Sequence, residues 1–370
     1  MERWSKEKAW EWYSSRPWIR GCNYMSADCA NRIDQWQELG FEERFKTTEN
    51  ELVLMKELGF NSVRLILEYV VWEKEHDSFL ERFERYITLC AKYGISCMIV
   101  LANDCMPPKT ELWKMPDVGP QSYDWGYHGG RRHSQHGGHS CPAPHYYFDD
   151  EKYRDDYFSM VKEIVTLYKD DSRILMWDLF NEPGNSNREE ITMPYLVRMF
   201  ETVRAINPSQ PLTVGAWWFD IDNDFKTSAL NQYALENSDI ITYHCYNTYV
   251  EHVKLIKYLK GFDRPLINTE WLARCTGNTV FDNFPLFYLE EIGCYNWGFV
   301  AGKYQTYEPY EAHWQWYKND PHAPIDFTKW FHDLYRPSHR PYDPNEAELI
   351  AKFCRLADKN FEKRTKNEAE

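Results

Sequence analysis

The chain has no excess of positive charge: 43 lysines and arginines stand against 57 aspartates and glutamates in 370 residues, a formal net charge of −14. Duplex nucleic acid and anionic membranes both require a basic face, so neither is an expected partner. No apolar run approaches the roughly 18 residues of a membrane span. The opening MERWSKEKAWEWYSSRPW lacks the apolar stretch of a secretory signal. The ten cysteines (Cys22, Cys29, Cys90, Cys97, Cys105, Cys141, Cys245, Cys275, Cys294 and Cys354) include no Cys-x-x-Cys pair. Several sit in apolar runs such as ISCMIVLA, where a thiol behaves as a small hydrophobe. Reduced thiols and a cytoplasmic location are the expectation. With 17 glycines, 19 prolines and 43% hydrophobic residues, fibrous and disordered classes fit poorly. What the chain has in abundance is aromatic surface, 16 Trp, 26 Tyr and 20 Phe, which suits stacking against sugar rings or similar flat ligands.

Strand and helix patterns alternate. Strands are expected at 17–24, 61–67, 95–104, 173–183, 211–216, 239–247, 264–271 and 294–302. The run ISCMIVLAND is apolar throughout its first part, as a strand buried on both faces requires. Thr48-x-x-Glu51 and Ser78-x-x-Glu81 read as capping boxes opening helices that end at Gly59 and Gly94. A last helix presents Leu349, Phe353 and Leu356, and the tail KNFEKRTKNEAE reads as frayed and solvated. Eight strand–helix units with right-handed crossovers predict a (β/α)8 barrel forming one catalytic domain over 1–370, with long insertions at about 105–147 and 303–343. A doubly wound open sheet is the alternative. It loses support because no strand–Gly-x-Gly-x-x-Gly–helix unit or P-loop occurs.

Barrel chemistry sits where strands end and loops begin. The polar and aromatic residues there are Asn103, Asp104, Asn181, Glu182, His244, Tyr246, Glu270, Trp271 and Trp297. Arg64, between Val63 and Leu65, has to point into the barrel and find a carboxylate. Glu182 and Glu270 cap the fourth and seventh strands and so face each other across the mouth. Two carboxyl groups across a cleft suffice to break a glycosidic bond, one protonating the leaving oxygen and the other attacking the anomeric carbon.

The runs WDLFNEP (Trp177–Pro183) and INTEW (Ile267–Trp271) resemble the acid/base and nucleophile motifs of clan A glycoside hydrolases. The nearest resemblance is to family 5, with the barrel domain of family 2 next, and it covers Arg20 to Gly302. It implies Glu182 as acid/base, Glu270 as nucleophile, Arg64 as its partner and Asn181 as binder of the sugar 2-hydroxyl. His244 and Tyr246 match a His-x-Tyr pair, and Trp297 would floor the sugar subsite. Glu182 has to start protonated, which a dry pocket beside an ionised Glu270 favours. Family 5 members usually carry a His near the end of the third strand. This chain reads LANDC, so Asn103 or Asp104 is expected in that place.

The first insertion holds His128, His133, His136, His139 and His145, with Arg131 and Arg132. It reads as a lid facing sugar hydroxyls or an acidic substituent; a zinc site is the other reading. The second insertion holds Tyr304, Tyr307, Tyr310, Trp314, Trp316 and Tyr317, read as either rim packing or an aromatic wall. The sequence thus predicts a retaining, exo-acting β-glycosidase of short oligosaccharides or glycoconjugates, with a carbohydrate as its partner. No cofactor and no metal are expected, and homo-oligomerisation is left open. An endo-acting cellulase, mannanase or xylanase comes second. A metal-dependent barrel hydrolase and a non-catalytic sugar-binding barrel follow.

Overall fold

The computed structural model describes residues 2–106, 114–131 and 145–369. Eight strands run parallel and close in sequence order: β1 (Arg20–Asn23), β2 (Ser62–Ile66), β3 (Ser96–Val100), β4 (Ile174–Asn181), β5 (Leu212–Ala216), β6 (Ile241–His244), β7 (Leu266–Trp271) and β8 (Gly293–Trp297). β8 pairs back onto β1, with Asn23 opposite Trp297, so no sheet edge is left open. This is a (β/α)8 barrel, and every expected strand forms within its predicted window or one residue of it.

The described helices are α1 (Lys6–Ser14), α2 (Arg32–Trp36), α3 (Phe41–Leu58), α4 (Tyr69–Lys74), α5 (His76–Lys92), α6 (Glu151–Tyr168), α7 (Met193–Ile206), α8 (Ala229–Asn237), α9 (Tyr249–Lys260), α10 (Val280–Leu289), α11 (Glu311–Asn319) and α12 (Pro344–Ala369). Leucine, isoleucine, valine and aromatic side chains fill the layer between strands and helices. At the N-terminal end of the barrel, Ala9 and Tyr13 of α1 close over Ile19, Met98, Met176, Ile240, Ile267 and Tyr295. That end is sealed by packing, so the ligand-accessible end is the C-terminal one. No helix among the described residues is long and apolar enough to cross a membrane.

Four local expectations fail. α3 begins at Phe41 behind Gly40, whose φ of 72° makes the entry turn, and not at Thr48. Thr48 lies inside the helix and bonds back to the Arg44 carbonyl, while Glu51 is buried against the Tyr24 hydroxyl at 2.7 Å. α5 begins at His76 behind Glu75, and Ser78 Oγ bonds the Glu75 carbonyl instead of capping. In α12 the buried stripe is Ile350, Cys354 and Ala357, and Leu356 is exposed. That helix also continues to Ala369, where a frayed tail was expected.

Candidate active site

Glu182 follows β4 directly, at φ 47°. A non-glycine residue in the left-handed region is strained by about 1–3 kcal/mol, a cost tolerated where the neighbouring structure fixes it. Here the Glu182 amide donates to the Gly215 carbonyl at 3.2 Å. The turn presents the carboxylate to three donors. His244 Nδ1 lies 2.6 Å from Oε1, Cys105 Sγ lies 3.0 Å from Oε2, and Asn185 Nδ2 also donates to Oε2.

Glu270, on β7, receives Arg64 Nη1 at 3.1 Å on Oε1 and the Tyr246 hydroxyl at 2.9 Å on Oε2. Burial pushes its pKa up. His244 opposes that shift, the Glu182 charge adds to it, and Arg64 and the Tyr246 hydroxyl pull back down. Arg64 points into the barrel as its sequence position requires. Its other donors reach Asp178 Oδ2 at 2.9 and 2.7 Å, Asn23 Oδ1 at 2.7 Å and Asn181 Oδ1 at 2.7 Å. One guanidinium thereby ties β1, β2, β4 and β7 together beneath the two glutamates.

His244 stands between the carboxylates, with Nδ1 also 3.5 Å from Glu270 Oε2. Burial lowers its pKa to about 4, so the ring is neutral and its proton belongs on Nδ1, which faces the acids. Nε2 is buried with no hydrogen-bond partner among the described residues. Ligating atoms of Glu182, His244 and Glu270 all lie within 4.8 Å of one another, a spacing a metal ion could use. Binding through Nδ1 would move the proton to Nε2, where no described residue accepts it, so the trio suits hydrogen bonding better than metal ligation.

The glutamates open into a cleft of about 830 Å³ at the C-terminal end of the barrel. Its wall includes Asn181, Tyr246, Trp297, Tyr310, Trp217 and Trp218. At Arg32 and Trp297 the cleft meets a second cavity of only about 40 Å³, room for a few waters at about 10–15 Å³ each.

The model of the cellulase family, glycosyl hydrolase family 5, matches residues 28–322. The chain belongs to glycoside hydrolase family 5. Among solved structures it is similar to an exo-β-1,4-mannosidase from Opitutaceae bacterium strain TAV5, at TM-score 0.57 and 16% identity over 93% of this chain and 60% of that one. The chain therefore spans 60% of the length of that relative. It is also similar to a family 5 mannosidase from Rhizomucor miehei, at TM-score 0.53 and 14% identity over 94% of each chain. A β-1,4-mannanase from the sea hare Aplysia kurodai gives TM-score 0.53 and 15% identity over 76% of this chain and 88% of that one. At such identities these likenesses speak for the fold. No curated protein sequence matches the chain.

Within this family 5 barrel, Arg64, Asn181, Glu182, His244, Tyr246, Glu270 and Trp297 come together as the sequence predicts. Three expected binding residues do not reach the cleft. Trp271 is 1% exposed and packs against Phe284 and Phe287 of α10, because its side chain leaves β7 toward the helix layer. Asp104 is buried with Arg188 Nε at 3.2 Å and the Gly184 amide at 2.7 Å, clamping the loop after β4. Asn103 accepts from Asn181 Nδ2 at 2.7 Å and so orients that residue from behind.

Sequence reasoning missed Cys105, Asn185, Arg32, Asp178 and the tryptophans of the β5 loop. The pattern WDLFN did show Asp178 three places before Asn181, the other partner of Arg64 on that strand. In the first insertion, His128 lines the cleft and its Nδ1 lies 2.8 Å from the Glu308 carbonyl. His145 instead stacks on Phe148 beneath the surface, and Arg131 is exposed. Arg132, His133, His136, His139 and Cys141 lie outside the described residues. In the second insertion Tyr310 forms cleft wall, whereas Trp314, Trp316 and Tyr317 of α11 stay exposed.

Proposed function

We propose that the chain is a retaining β-glycoside hydrolase that removes the terminal sugar from short oligosaccharides or glycoconjugates. The spacing of Glu182 and Glu270 carries this reading. Their facing oxygens lie within 4.8 Å, close to the roughly 5–5.5 Å between carboxyl groups in retaining enzymes and short of the roughly 6.5–9.5 Å of inverting ones. Glu270 attacks the anomeric carbon while Glu182 gives a proton to the departing oxygen. Glu182 then takes a proton from water, which attacks the same carbon and frees Glu270. Asn181, held from both sides by Arg64 and Asn103, meets the 2-hydroxyl. Trp297 offers a flat face and an indole N–H that has no partner among the described residues.

Exo action is supported by the cavity that shares Arg32 and Trp297 with the cleft, whose volume of about 40 Å³ is too small for a further sugar ring. A cytoplasmic location is part of the same reading, supported by the nine cysteines among the described residues, all buried free thiols. A panel of aryl β-glycosides and matching oligosaccharides, β-mannosides first in view of the named fold relatives, tests the proposal. The expected result is release of single sugars as the β-anomer on first appearance, unaffected by chelators. Release of the α-anomer would overturn the retaining mechanism, longer products the exo mode, and chelator-sensitive turnover would favour a metal hydrolase.

A further inference from the structure

The residue beside the acid/base is a cysteine. Cys105 Sγ sits 3.0 Å from Glu182 Oε2 and 3.5 Å from Asn181 Nδ2, lines the cleft and is 7% exposed. Its placement is built. The Cys105 amide donates to Asn103 Oδ1 at 3.1 Å, and Asn103 Nδ2 donates to the Cys105 carbonyl at 3.3 Å. The same Asn103 Oδ1 accepts from Asn181 Nδ2, so one amide side chain sets the thiol and Asn181 in a common frame. Burial, then the charges of Glu182 and Glu270, push the thiol pKa well above its ordinary value. Sγ therefore keeps its proton, and in contact with a carboxylate it is the donor.

We propose that Cys105 is a positioning residue for the acid/base: its S–H fixes one oxygen of Glu182 and so sets the orientation of that carboxyl. The proposal rests on the assignment of Glu182 given above. The other groups that act on Glu182 are His244 from β6, Glu270 from β7, Arg64 from β2, Asn185 from its own loop, and Tyr246 and Tyr310 at the cleft wall. A hydrogen bond to the charged form of a carboxyl favours that form. Its removal makes the acid hold its proton to higher pH, and a stronger donor does the reverse.

The test is the pH profile of kcat/KM for Cys105→Ala and Cys105→Ser on an aryl β-glycoside with a poor leaving group, with thermal melting of each variant. Cys105→Ala is expected to move the alkaline limb up by about 0.5 pH unit, and Cys105→Ser, with its stronger O–H donor, to move it down by a few tenths. Limbs that coincide with the wild type, or equal losses of rate with no movement of the limb, would reduce Cys105 to a space-filling role and overturn the proposal. If Cys105→Ala does not fold, the direction of the Cys105→Ser shift decides alone. Glu182→Ala, run alongside, separates the two assignments. If it leaves the dependence of rate on leaving group unchanged, the acid/base reading fails, whatever the cysteine variants do.

Discussion

Arg64 and Asp178 form an ion pair inside the barrel, 2.7 Å apart, with neither side chain exposed to solvent. Charges this deep are stable only when paired and hydrogen-bonded, because desolvation costs several kcal/mol per ion. Asp178 takes two of the guanidinium N–H groups, leaving Nη1 for Asn23 and Glu270. Asp178 thereby fixes the direction from which Arg64 meets Glu270.

Asp178→Ala should therefore strand a buried cation. The expected loss is about 3–5 kcal/mol of stability, read by urea or thermal unfolding. Asp178→Asn, which retains an acceptor, should lose less. A variant as stable as the wild type would mean that Glu270 alone suffices to neutralise Arg64.

Replacing the glutamates should give different kinetic failures. Glu270→Gln removes the proposed nucleophile and should lower kcat by several orders of magnitude on every substrate. Glu182→Ala should retain the first step on glycosides of acidic phenols and stall at the glycosyl-enzyme. Azide, which needs no general base, should then restore turnover and yield the β-glycosyl azide. Equal inactivity on activated and unactivated substrates, with no azide response, would show the roles to be misassigned.

Gly215 marks a close approach. A Cβ there would lie 2.9 Å from His244 Nε2, 3.3 Å from Cε1 and 3.5 Å from Arg64 Nη2. Gly215→Ala should push the imidazole toward the carboxylates and lower kcat/KM about 10–10²-fold, with little change in the circular dichroism spectrum. Wild-type kinetics in this variant would show that the ring position is not critical.

Glu51 predicts how stability depends on pH. Burial raises its pKa from 4.5 to about 8, against hydrogen bonds from the Tyr24 hydroxyl and the Ala27 amide. The folded state holds this proton more tightly than the unfolded chain. The stabilisation is full below about pH 4.5 and is lost as pH rises toward about 8. Asp333, raised to about 7, acts in the same direction. Glu51→Gln imitates the protonated acid and should flatten the decline in melting temperature across that range. A decline as steep as in the wild type would place the titration elsewhere.

The barrel was legible because each strand is a short apolar run ending in polar residues, and the glutamates stand at two of those ends. What periodicity conceals is direction. Trp271 adjoins Glu270 in sequence, yet it turns to α10 while the glutamate turns to the cleft. Asp104 looked like a ligand and is instead the buried counter-ion of Arg188, a contact between segments that no local pattern announces. Cys105 was overlooked because a cysteine at the end of an apolar run reads as filler. Thr48-x-x-Glu51 satisfied a capping pattern, but the turn at Gly40 started α3 first, leaving Glu51 to the interior.

On the retaining, exo-acting reading proposed above, the small cavity past Trp297 would also set an order of events. A substrate cut in that mode enters with its terminal sugar innermost and its remainder toward the mouth. After cleavage the outer fragment has to depart first, and water reaches the glycosyl-enzyme through the space it vacates. The sugar leaves last, along the same route by which the next substrate arrives. Accumulated sugar therefore competes directly with substrate, while the outer fragment, in returning, can intercept the glycosyl-enzyme and be extended in place of water.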